Sequence, residues 1–141
     1  MKQNEIQLVE RHIIKPSDKR FTKIKDFCHL SKNLYNYANY ILRQEFISNK
    51  SIPKEYDLSK TLASSNQVDY RALPAQSAQQ TIKLLYKNYK SFFNALKSYK
   101  KDKSKFTGKP KLPKYKSKNG VSIAVLTNQQ ISIKKGEKKK Q

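Results

Sequence analysis

Leu73–Lys101, LPAQSAQQTIKLLYKNYKSFFNALKSYKK, is the stretch on which the fold turns. Its apolar positions Ala78, Ile82, Leu85, Tyr89, Phe92, Leu96 and Tyr99 step alternately by four and three, tracing one stripe along an α-helix. Pro74 suits the first turn, where a missing N–H costs little. The spacing predicts one helix from Leu73 to about Lys101, of about seven turns. The same helix carries a second stripe of Lys83, Lys87, Lys90, Lys97 and Lys101, interrupted only by Asn94. A solvated outer face is the ordinary explanation of such a stripe. Here no acid occurs between Thr81 and Lys101, so the sign alternation that stabilises exposed helices is missing and phosphate contact becomes the sharper reading.

Working backwards, Ser17 and Asp18 offer N-cap side chains for a second long helix. Its apolar residues Phe27, Leu30, Leu34, Tyr37 and Ile41 recur at helical spacing, and it is expected to run to about Asn49. Between the two, Asp57 or Ser59 would cap a short helix over Lys60 to Ser64, followed by a polar turn through Ser65, Asn66 and Asp69. At the N-terminal end Asn4 to Ile14 alternate, with Ile6 and Leu8 on one face, until Pro16 stops the run; this reads as a strand.

Working forwards, Lys100 to Lys118 holds nine lysines and one acid, Asp102. Gly108, Pro110 and Pro113 exclude a helix, and an extended basic arm is expected, bearing Lys105, Lys109, Lys111, Lys114 and Lys116. A disordered linker is the alternative. Against it, Phe106, Leu112 and Tyr115 suit either stacking on a base or ribose or docking on the fold. Lysine rather than arginine suits backbone contact more than base reading. Val121 to Leu126 and Gln130 to Lys134 read as a terminal hairpin turning at Thr127, Asn128 and Gln129, which would pair with the first strand.

The totals limit what such a chain does. Its 141 residues suit one small domain, and 31 Lys plus Arg against 10 Asp plus Glu leave a net charge of +21. That charge calls for a polyanionic partner, gained through counterion release. No apolar run reaches the roughly 20 residues of a membrane-spanning helix, nor is there a signal-peptide core, so a cytoplasmic protein is expected. Cys28 is the only cysteine, which leaves no internal disulfide and no cysteine-based zinc site. His12 and His29 lack acidic companions at ligand spacing, and the ten acids are scattered. No catalytic residue, metal site or cofactor is expected.

Four passages resemble the N-terminal part of the TnpB/OrfB family of insertion-sequence proteins, RNA-guided nucleases related to type V CRISPR effectors. They are IIKPSDKRFTKIKDFCHLSKNLYN (Ile13–Asn36), LPAQSAQQTIKLLYKNYKSFF (Leu73–Phe93), GKPKLPKYKSK (Gly108–Lys118) and SIAVLTNQQISIKKG (Ser122–Gly136). The likeness covers nearly the whole chain in matching order and spacing. It implies an α+β, mainly helical fold in which a helical recognition insert, two long helices plus a short one, interrupts an incomplete β-barrel wedge domain. The expected division is a first wedge strand at 1–16, a helix-turn-helix-like insert at 17–103, the basic arm at 104–120, and a wedge hairpin with a basic tail at 121–141. The family's motif-reading contacts fall at Gln79 and Thr127, and more loosely at Tyr56 and Ser59.

The resemblance implies guide RNA and target DNA as partners. The family's RuvC-like carboxylates and zinc-binding cysteines have no counterpart here. The reading is therefore a transposon-encoded fragment, truncated before the nuclease domain, that binds nucleic acid without cutting it. The alternative is one half of a split endonuclease whose nuclease half lies on another chain. A ribosomal-protein-like RNA binder explains the charge but not the four ordered passages.

Overall fold

The computed structural model describes residues 6–49 and 51–132. It is mainly helical: α1 (Phe21–Asn49), α2 (Glu55–Ser64), α3 (Val68–Arg71) and α4 (Ala75–Lys101), followed by single 3-10 turns at Lys103–Lys105 and Asn128–Gln130.

The two long helices lie where the periodicities put them. Asp18 organises the entry to α1, its carboxylate accepting from the Arg20 amide at 2.8 Å while its carbonyl accepts from the Phe21 amide at 3.0 Å. Arg20 holds the Asp18 carboxyl down at about 2, through its side-chain and then its backbone hydrogen bond. Pro74 stands at the N-cap of α4, and the Ala78 amide already bonds back to its carbonyl at 2.9 Å.

α1 and α4 pack side by side and run parallel. Ser31 meets Thr81, Asn39 meets Tyr89, and Phe46 meets Phe92, so residue numbers rise together along the seam. A parallel pair needs a crossover, and residues 51–74 supply it, with α2 and α3 covering one side. Leu58 and Leu62 of α2, Tyr70 of α3 and Leu73 join Leu34, Ala38, Leu42, Ile82 and Leu85 in one core. Along α4 the expected stripe is the buried one from Ala78 to Phe92. Along α1 it is rotated: Tyr35, Ala38 and Leu42 are buried, while Tyr37 is exposed.

The linking region differs from expectation. α2 begins at Glu55, so Asp57 and Ser59 lie inside the helix instead of capping it; Lys54 occupies the N-cap with no side-chain bond. α2 stops where Asn66 enters the left-handed region at φ 52, which a short polar side chain tolerates. The one-turn helix α3 was not anticipated. Gln67 starts it by accepting the Tyr70 amide at 2.8 Å.

The strand expectations are corrected: among the described residues there is no β-strand. Ile6, Leu8, Val9 and Ile13 are more than four-fifths exposed, with no sheet behind them, so their alternation has no buried face to serve. The expected hairpin is replaced at Thr127 by a capping box. The Thr127 amide donates to Gln130 Oε1 at 2.9 Å, which curls residues 128–130 into a 3-10 turn. The part of the hairpin from residue 133 onward, the basic tail, and residues 4 and 5 of the first strand lie outside the described residues.

Candidate nucleic-acid interface

After α4 the chain turns at Lys103–Lys105, where Asp102 caps the turn by accepting the Ser104 amide at 3.0 Å. It then runs back, extended, along the helix pair. A row of polar side chains on α1 takes hold of its backbone. Asn39 donates to the Pro113 carbonyl at 3.0 Å, and Arg43 donates to the same oxygen through Nη2 at 2.7 Å and Nε at 3.2 Å. Asn36 donates to the Lys116 carbonyl and accepts its amide; the Lys32 ammonium donates to the Lys118 carbonyl; His29 Nδ1 lies 3.2 Å from the Gly120 carbonyl. Farther along, Ser31 donates to Ile123 and Ser77 to Val125, both at 2.8 Å.

This clamp decides between the alternatives left open by the sequence: the arm is a docked segment. Phe106 packs edge-on against Tyr99 at 5.7 Å between centroids, and Leu112 packs on the core. Both dock on the fold. Tyr115 instead stays 46% exposed. With its backbone held inward, the arm turns its charge outward: Lys105, Lys109, Lys111, Lys114 and Lys116 are all exposed. So are Lys83, Lys87, Lys90, Lys97 and Lys101 on α4, away from the core stripe.

Among the described residues, carboxylates meet basic side chains in two places only, Glu10 with His12 at 3.1 Å and Asp18 with Arg20 at 2.8 Å. Neither touches the ten lysines. Between the arm and α4 lies a groove of 500 Å³, with Lys111, Lys114, Tyr115 and Lys116 on one wall and Asn88 and Ser91 on the other.

The four residues singled out by resemblance sit elsewhere. Tyr56, Ser59 and Gln79 line a 680 Å³ cavity between α2 and α4, together with Lys54 and Lys60. Gln79 also lines the adjoining 380 Å³ groove, which Thr127 shares with Gln76, Gln80, Asn128 and Gln129. Gln79 thus joins two grooves, and Thr127 is held in place by donating its hydroxyl to Gln76.

The clamp residues were missed in the sequence. Their signal is present: His29, Lys32, Asn36, Asn39 and Arg43 step by three, four, three and four beside the apolar stripe of α1. Such a polar stripe on a helix is ordinarily the solvated face. Here Lys32 and Asn39 are buried, at 4% and 0% exposure.

Among the described residues no group of three or more His, Cys, Asp and Glu side chains is placed to hold a metal ion, and no helix is long and apolar enough to cross a membrane. Comparison with models of known families, with curated proteins and with solved structures found no match.

Proposed function

We propose that this chain is a nucleic-acid-binding module, the N-terminal part of a TnpB-like transposon protein acting in the cytoplasm, which holds guide RNA, target DNA or both and does not cut them. One observation carries the proposal. Ten exposed lysines on α4 and the docked arm have no acidic partner among the described residues, while the arm's backbone is tied inward by α1. A net +21 repels itself in a folded chain, and lysines held at fixed spacing recover that cost by displacing counterions from a phosphate backbone.

Within this reading the amide-rich groove that Gln79 and Thr127 share with Gln76, Gln80, Asn128 and Gln129 supplies sequence discrimination. Glutamine and asparagine side chains present a donor and an acceptor together, which matches the edge of adenine in the major groove. The lysines supply affinity that is indifferent to sequence.

Co-purification tests the proposal. The chain is expressed with flanking transposon DNA, captured, washed at moderate salt, and the bound RNA sequenced. RNA from the adjacent element end is the expected enrichment. Random cellular RNA released together as salt rises would reduce the function to bulk charge.

A further inference from the structure

The groove between the arm and α4 makes the proposed function more specific, and its assignment rests on that reading. We infer that this groove holds single-stranded RNA, with one base stacked on the Tyr115 ring.

One face of Tyr115 is covered by Arg43, whose Cζ lies 4.8 Å from the ring centroid. The same guanidinium donates twice to the Pro113 carbonyl, and Asn36 holds the main chain at Lys116. The ring is therefore anchored on both sides in sequence and backed by a cation, yet 46% exposed. A ring fixed before binding loses little conformational freedom when a base stacks on it. Duplexes bury their base faces against one another and offer none to such a ring. A single strand offers a base face and a phosphate in turn, the pattern that Tyr115 makes with Lys111, Lys114 and Lys116.

The opposite wall favours ribose. Ser91 gives its hydroxyl proton to the Lys87 carbonyl at 3.1 Å, leaving its oxygen as an acceptor. Asn88 donates one Nδ2 proton to the Tyr35 hydroxyl at 2.8 Å, which leaves Oδ1 as an acceptor and the second Nδ2 proton as a donor. A wall that offers both acceptors and a donor suits a hydroxyl, which is both, and the 2′-hydroxyl is the group that RNA has and DNA lacks.

The test measures binding of the full chain to a labelled unstructured RNA strand, to its 2′-deoxy counterpart and to a duplex of equal length, across a salt series. Tyr115→Leu is expected to weaken the RNA strand by roughly five- to a hundredfold, with an unchanged salt slope and little effect on the duplex. Tyr115→Phe should bind as the wild type does, which separates stacking from a folding defect, and Ser91→Val should narrow the preference for RNA over DNA. Equal losses on strand and duplex, or none on either, would overturn the stacking role. A deoxy strand bound as tightly as RNA would overturn the assignment to RNA while leaving the wider binding reading intact. Failure to bind any of the three would defeat both.

Discussion

Asn36 and Lys116 exchange two hydrogen bonds across 80 positions of sequence: the Asn36 carboxamide donates to the Lys116 carbonyl at 3.0 Å and accepts its amide at 2.8 Å. The side chain does for the arm what a neighbouring strand would do, satisfying donor and acceptor of one residue together. Replacing Asn36 with leucine keeps the bulk and removes both bonds. Hydrogen exchange at the Lys116 amide should accelerate about thirtyfold, since the two bonds are worth about 1 kcal/mol each. Unchanged protection there would mean that the arm is held by other means.

Asn39, fully buried in the same row, is bonded at once to Pro113 and to the Tyr89 hydroxyl, which donates to it at 2.8 Å. Asn39→Leu strands that hydroxyl in the core and should lower unfolding free energy by about 1–3 kcal/mol. Tyr89→Phe added to Asn39→Leu should recover part of the loss, because both polar partners are then gone. Denaturant titration of the two variants checks this.

Burial pushes the Tyr89 hydroxyl up to about 12 from its ordinary 10.0, against the opposing influence of Arg43. The folded value exceeds the unfolded one, so the fold favours the neutral phenol; that contribution is complete below about pH 10 and disappears as pH rises towards about 12. Burial shifts Tyr86 in the same direction. Wild-type stability should therefore fall more steeply over this alkaline interval than that of Tyr89→Phe, as read by denaturation at matched ionic strength. Parallel profiles would show that Tyr89 does not contribute to the alkaline loss.

On α4, Leu85 is fully buried at the centre of the stripe. Leu85→Ala should cost about 2–5 kcal/mol. Leu96, farther along the same stripe and only partly buried, should cost less on the same change. A reversed order would place the core elsewhere along the helix.

Changing Lys83, Lys87 and Lys90 to glutamate should leave the fold in place, because all three are exposed, and weaken binding to every nucleic-acid sequence alike. The salt dependence should flatten by about one counterion per lysine. Gln79→Ala should do the opposite, altering which bases are preferred with little change in salt slope, and Gln76→Ala should follow it by releasing Thr127. Normal binding by the triple variant with an unaltered slope would remove the α4 stripe from the interface.

Sequence alone determined the two long helices, the near-exact span of α4 and the concentration of lysine from Lys83 to Lys118, because helical periodicity and charge are local properties that survive without knowledge of neighbours. It misplaced whatever depended on a partner. Ile6–Ile14 alternate as a strand does, but alternation makes a strand only where another strand and a buried face await it. α3 is too short to show a period, and the start of α2 lacks a capping side chain. The docked arm was decided by tertiary structure alone. Its extended backbone looks the same in sequence whether it pairs with a strand, floats in solvent, or is gripped by Asn36, Asn39 and Arg43, since only the packing of α1 against α4 brings those side chains to its carbonyls.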